Sequence, residues 1–168
     1  MSQKKYFSPE MKIEELRKQF WKLCLQLHPD KGGDPAEFRA MKDEYDIVVG
    51  ILAAGEAGRA EKENRRPWYT AAGERGLREA MAVFMNIPGV VVEICGCWLW
   101  ITGETYNARQ RLYEAGAKYS KQKKCWYWAH DMQRGKVRGK YNNMRKIRER
   151  FGSAVYRSNA EEKKEIAG

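Results

Sequence analysis

The sequence predicts an α+β protein: an N-terminal helical hairpin, then a small α-β-β-α-β-β antiparallel-sheet domain, then a basic C-terminal helix. Three observations carry that prediction. Two stretches before residue 54 repeat apolar residues at spacings of three and four, the period of an amphipathic helix. From Val90 to Ala129 the pattern shifts to short β-branched and aromatic runs separated by turn residues, as strands do. Charge is also uneven. Residues 1–54 hold nine Lys/Arg and nine Asp/Glu, whereas Asn107 to Arg157 hold fifteen Lys/Arg and three Asp/Glu, so the +10 net charge lies beyond the hairpin.

In the first helix, Ile13, Leu16, Phe20, Leu23 and Leu27 form one stripe. The helix is expected from about Pro9, with Ser8 as its cap and proline at the first position, where a missing N–H is harmless. Pro29, Gly32 and Gly33 stop it. The second helix opens at Asp34-Pro35-Ala36-Glu37, a capping acid followed three residues later by a glutamate that can reach back to the cap amide. Phe38, Met41, Tyr45, Val48, Val49 and Leu52 give it a matching stripe. Two antiparallel helices then zip together and present His28, Pro29 and Asp30 at one end. Proline stiffens that loop while a ring donor and a carboxylate are offered in fixed directions, which lowers the ordering cost of binding. Lys18 and Lys22 lie opposite the apolar stripe, one turn apart, where a docking face needs positive charge. The simpler reading makes the tripeptide a helix-stopping turn and the lysines solvated.

The run from Phe20 to Asp34, with Phe38 and Tyr45 downstream, resembles the core of a DnaJ-type J domain over roughly residues 5–54. The resemblance implies docking on a DnaK-type chaperone and triggering of its ATP hydrolysis. It assigns the activity to His28, Pro29 and Asp30, with Lys18, Lys22 and Lys31 as further chaperone-binding residues. The chain departs from the family in three ways. Only Lys4-Lys5-Tyr6-Phe7 stands where a first helix with an aromatic-leucine-glycine signature is usual, a fourth helix is missing, and Trp21 and Gln26 occupy positions that are often basic. The domain is therefore read as truncated, with a less positive docking face.

Gly55 to Pro67 reads as a polar linker that can also continue as a frayed helix, because Ala, Glu, Lys and Arg favour helix while its glycines weaken it. No charged-then-apolar leader opens the chain, and the apolar region Val83 to Ile101 is broken by Asn86, Pro88 and Glu93, so a cytoplasmic protein without a membrane span is expected. Four cysteines in such a chain read as reduced thiols.

The second domain is placed at 68–131. Glu74 to Asn86 is expected as a helix, Val90 to Ile94 and Trp98 to Thr102 as a hairpin about Cys95-Gly96, and Asn107 as the cap of a helix to Ala115 stopped by Gly116. Lys118 to Ser120 and Cys125 to Ala129 form a second hairpin. Helices on one face of the sheet would leave the other free for function. Tyr141 to Phe151, within the segment 132–168, reads as a basic helix stopped by Gly152.

Trp98 and Trp100 alternate along one strand, and Trp126 and Trp128 along another. If both pairs share a face, they and Lys121, Lys123 and Lys124 suit single-stranded nucleic acid, with bases on rings and phosphates on cations. Core packing is the competing reading. Arg145, Lys146, Arg148 and Arg150, with Lys136, Arg138 and Lys140 upstream, have few acids nearby and fit phosphate, giving salt-sensitive and largely sequence-blind binding to DNA or RNA. A solvated tail is the plainer alternative. Cys95, Cys97, Cys125 and His130 nominally offer four metal ligands, but Cys-x-Cys spacing inside strands is poor for zinc, and buried thiols are the expected role. No metal or cofactor is expected.

A P-loop, a Gly-x-Ser-x-Gly elbow and a His-Glu pair are all missing, so the chain is not expected to be an enzyme. The stretch from Val92 to Trp128 is similar to uncharacterised domains joined to J domains in bacterial phage and mobile-element proteins, which assigns no residue roles. The expectation is a J-domain co-chaperone adaptor whose basic module places a DnaK-type ATPase on nucleic acid or a nucleoprotein. The alternative is a nucleic-acid-binding protein of a phage or mobile element whose J-like hairpin is structural or sequesters the host chaperone.

Overall fold

A computed structural model describes residues 5–130 and 143–158. The chain divides into two compact units, Met1–Ala71 and Ala72–Gly168.

In the first unit, helix α1 (Ile13–Leu27) runs to a single 3-10 turn (Pro29–Lys31), and helix α2 (Pro35–Lys62) follows. Their stripes meet as the spacing requires: Ile13, Leu16 and Phe20 are buried with Met41, Tyr45, Val48 and Val49, and the Phe20 and Tyr45 rings meet at a tilt with centroids 4.1 Å apart. The α1 start expected at Pro9 is corrected to Ile13. Residues 8–11 form a turn instead, in which the Met11 amide donates to the Ser8 carbonyl at 3.1 Å. The cause lies upstream. Phe7 is buried in the core, and the Tyr6 and Phe7 amides both donate to Glu44 Oε1 of α2 at 2.8 Å, so the chain must turn before it can align with α1.

Helix α2 starts as expected, with Asp34 Oδ1 accepting from the Ala36 amide at 2.9 Å and Pro35 in the first turn. It continues without a break through most of the join to Lys62, so helix-favouring Ala, Glu, Lys and Arg outweigh Gly55 and Gly58. Buried Ala53, Glu56 and Ala60 show why the extension holds. The returning chain lies on it: Glu56 Oε1 accepts from Arg65 Nη1 at 2.6 Å and from the Trp68 amide at 2.9 Å, and Tyr69 packs against the hairpin core.

The second unit is built on a five-stranded antiparallel sheet of order β3-β4-β2-β1-β5. Helix α3 (Ala71–Met85) precedes β1 (Val90–Cys95) and β2 (Trp98–Gly103); α4 (Thr105–Glu114) leads to β3 (Lys118–Ser120) and β4 (Cys125–Ala129); α5 (Met144–Phe151) leads to β5 (Ala154–Arg157). The β1–β2 turn places Gly96 at φ 60°, a left-handed angle that glycine adopts freely. Sequence expectations change here, beginning with helix α3, which starts at Ala71 rather than Glu74 and ends at Met85. Helix α4 begins at Thr105, and Asn107 lies inside it rather than capping it, because the Glu104 amide is held by the Gly89 carbonyl and the chain turns into the helix at once. Strand β5, beside β1, was not expected.

The register sorts the sheet into two faces. Val90, Val92, Ile94, Leu99 and Ile101 share one face and are fully buried, which leaves them to the apolar stripes of α3 (Leu77, Met81, Phe84) and α4 (Leu112). Glu93, Cys95, Trp98, Trp100 and Tyr127 share the other. That second face was expected to be open, yet the basic helix covers part of it: Ile147, Met144 and Phe151 of α5 pack with Cys95, Trp100 and Cys125.

Candidate functional site

The His28-Pro29-Asp30 loop is held by its own backbone. His28 O accepts from the Lys31 and Gly33 amides at 2.9 and 3.1 Å, and Pro29 O accepts from the Gly32 amide at 3.0 Å. His28 Nδ1 accepts from the Asp30 amide at 3.2 Å, so a neutral ring carries its proton on Nε2 as an available donor. Phe38 of α2 meets the imidazole edge-on at 5.4 Å and fixes its plane, while Lys42 Nζ lies 5.8 Å from the Phe38 centroid. The Asp30 side chain is 88% exposed and the His28 side chain 46% exposed. The loop therefore offers a carboxylate and a ring donor on a rigid turn.

Both glycines after Lys31 have local reasons. Gly32 sits at φ 85° as the cap of the 3-10 turn, and a Cβ on Gly33 would overlap the Leu27 carbonyl at the end of α1. Lys18, Lys22 and Lys31 are exposed. Leu25, 44% exposed, continues the Lys18–Lys22 line by one turn toward the loop, an apolar addition that stripe analysis passes over because it lies on the polar side.

In the second unit the tryptophan pairs do not share a face. Trp98 pairs with Ala129 and Trp100 with Tyr127, whereas Trp126 and Trp128 oppose Ile101 and Leu99. The four-tryptophan platform is thereby overturned: strand alternation is preserved, but the register puts Trp126 and Trp128 behind the sheet. Trp98, Trp100 and Tyr127 form a cluster with ring centroids 5.8–5.9 Å apart, Trp100 is buried, and Lys123 Nζ stands 5.6 Å over its ring.

Lys121, Lys123 and Lys124 occupy the β3–β4 turn, with Lys124 at φ 53°. Arg145, Lys146 and Arg150 are exposed on α5, and Arg145 meets Glu149 at 3.5 Å. Arg148 is committed inward. Its Nε and Nη2 donate to Glu93 Oε1 and Oε2 at 2.5 and 2.8 Å, and Ser153 Oγ donates to Glu93 Oε1 at 2.5 Å. The Arg148 guanidinium, followed by the Ser153 hydroxyl, holds the Glu93 carboxyl below its ordinary value against the opposing effect of burial. Glu93 raises the Arg148 value in turn. Arg148 thus anchors the basic helix to the sheet, and a lone acid in a β-branched strand was the signal that could have revealed its partner. Lys136, Arg138 and Lys140, with Tyr141, lie outside the described residues.

All four cysteines are free thiols. Burial pushes the Cys95 thiol up to about 12, with Glu93 adding to the shift, and burial raises Cys125 as well. Cys95 and Cys125 belong to the α5 cluster, while exposed His130 lies against Gly76 of α3. Among the described residues no three His, Cys, Asp or Glu side chains converge as metal ligands, and no helix is long and apolar enough to cross a membrane.

Two antiparallel helices closed by a His-Pro-Asp turn with a Lys-Gly-Gly exit have the form of a J domain. Comparison with known proteins supports that class. The chain is 32% identical over 68 residues to DnaJ protein homolog 2 of Allium porrum, covering 40% of this chain and 13% of that protein. It is 31% identical over 68 residues to Chaperone protein dnaJ 2 of Arabidopsis thaliana and to DnaJ protein homolog ANJ1 of Atriplex nummularia, with the same shares covered. The chain thus spans 13–14% of the length of the curated relatives it matches. No family model and no solved structure matches it. None of the matches bears on the resemblance of Val92–Trp128 to domains of phage and mobile-element proteins.

Proposed function

We propose that this chain is a J-domain co-chaperone that recruits and stimulates a DnaK-type ATPase through His28, Pro29 and Asp30, while its basic second unit targets nucleic acid or a nucleoprotein. The observation that carries the reading is the loop itself: a carboxylate almost fully in solvent and an imidazole fixed by Phe38, on a turn pre-organised by backbone hydrogen bonds. An exposed carboxylate on a rigid turn suits a guanidinium partner, and Lys18, Lys22 and Lys31 suit an acidic groove. ATP chemistry then belongs to the partner, and this chain acts by differential binding to the state that hydrolyses. Such a partnership fits a cytoplasmic protein.

The test is single-turnover ATP hydrolysis by a DnaK-type chaperone with the wild-type chain, His28→Gln and Asp30→Asn. Stimulation lost in both exposed-loop variants, with unchanged folding, supports the reading. A wild-type chain that does not stimulate refutes it and moves the function to the basic unit. For that unit, labelled single- and double-stranded oligonucleotides across a salt series give the readout, and absent or salt-insensitive binding refutes the charge argument.

A further inference from the structure

The tryptophans of the second unit are half-buried or buried, and among its described aromatic residues Tyr106 and Tyr113 are the most exposed, ahead of Tyr119 at 49%. Tyr106 is 77% exposed and Tyr113 71%, while Ala108 and Leu112 are the buried residues of the same helix, α4. The two tyrosines stand seven residues apart, and Arg109 lies between them, three residues from one and four from the other, so all three fall on one side of the helix. The Arg109 guanidinium is already stacked 4.6 Å from the Tyr106 ring centroid. Glu114, the one acid of α4, accepts from Gln110 at 2.9 Å.

Two large rings and a guanidinium in water, on the side of a helix away from its buried residues, present flat faces to a partner. Their setting selects the occupant. Arg109 and Tyr113 open the segment Asn107–Arg157, with fifteen Lys/Arg and three Asp/Glu, and Tyr106 directly precedes it, so the surrounding charge complements a polyanion. Rings interleaved with a guanidinium further suit a polyanion whose own flat faces are open, and a duplex keeps its base faces stacked inside. We propose that Tyr106, Arg109 and Tyr113 form a base-stacking surface for single-stranded nucleic acid. This rests on the reading of the second unit as a nucleic-acid module and adds its strand preference. Two helical turns separate the tyrosines by about 10.5 Å, roughly three base steps of a stacked strand, so both rings engage one short oligonucleotide.

The experiment uses the full chain and fluorescence anisotropy with labelled oligothymidylate, oligouridylate and a mixed-sequence DNA duplex. The variants are Tyr106→Ala with Tyr113→Ala, and Tyr106→Phe with Tyr113→Phe, each checked for native circular dichroism. The alanine pair should weaken single-strand binding at least roughly tenfold, as expected for lost base stacking, with duplex affinity and the salt slope unchanged. The phenylalanine pair should bind as wild type. Equal losses on single strand and duplex overturn the proposal, as does unchanged single-strand binding, which would assign the tyrosines to a protein contact. A wild-type chain that binds no oligonucleotide overturns the underlying module reading instead, and this inference with it.

Discussion

Replacing Arg148 with methionine isolates the anchor of the basic helix. The substitution keeps an unbranched apolar stem but removes the guanidinium, and it strands the Glu93 carboxylate, whose side chain is 12% exposed, with the Ser153 hydroxyl and the Cys95 thiol as donors to it. Orphaning one member of a fully buried ion pair costs about 3–5 kcal/mol; Arg148 is half open to water, so screening reduces the expected loss to about 2 kcal/mol. In a unit of this size that lowers the unfolding midpoint by about 10 °C.

The pH dependence follows from the direction of each shift. In the wild type, Glu93 titrates below its ordinary value, so its contribution is present above the ordinary carboxylate range and is lost as pH falls through the lower, folded value. In Arg148→Met, burial acts with its main opponent gone and raises the Glu93 value, so protonation stabilises the folded variant as pH falls. The stability gap should therefore narrow as pH falls from about 7 through the ordinary carboxylate range and on toward the lower, folded value of the wild type. Thermal unfolding followed by circular dichroism measures this, and Glu93→Gln with Arg148→Met should recover more than half of the loss. A gap below roughly 0.5 kcal/mol, or one that does not change with pH, would refute the assignment of Arg148 as anchor.

Other expectations follow from the same structure. Gly33→Ala drives a Cβ into the Leu27 backbone, which has no flexible end to yield, and should cost about 2 kcal/mol or more of stability together with chaperone stimulation; an unchanged melt refutes the close approach. The Glu56 carboxyl is held below its ordinary value chiefly by Arg65, so Glu56→Gln should lower the melting temperature at neutral pH and lose that effect as pH falls below the ordinary carboxylate range. With the Cys95 thiol near 12 and Cys125 buried, iodoacetamide applied to the native chain at mildly alkaline pH should label half-buried Cys24 and Cys97 well before Cys95 and Cys125, as read by peptide mass spectrometry.

The hairpin was legible because its signals are local. Stripe spacing, the Asp34-Pro35 start and the His-Pro-Asp-Lys-Gly-Gly run each act within a turn or two, and no distant residue overrides them. The α1 start was not legible, since it depends on Glu44 holding the Tyr6 and Phe7 amides across more than thirty residues. The β1–β2 and β3–β4 hairpins were equally local. Which face each tryptophan pair takes depends instead on how β2 meets β4 across the intervening α4, and a slip of one residue reverses the answer. Strand β5 escaped notice because Ala154–Arg157 is too short to carry a period, and only its pairing with β1 defines it. The tyrosines of α4 were hidden differently: sequence shows that they flank Ala108 and Leu112 on the helix, but only the packed sheet shows which side faces water.

The strand order also sets a sequence of events in folding. Strand β1 pairs with β2 through a two-residue turn, but its other edge waits for residues 154–157, with Val91 meeting Arg157. Until that stretch leaves the ribosome, a strand of valine and isoleucine presents unpaired amides and carbonyls, the usual template for pairing with another molecule. Chain closure is therefore the late, slow event of the second unit. A chain cut just before Ala154 keeps nearly all of the sheet yet leaves this edge open, and should be recovered as aggregate where the longer chain stays in solution.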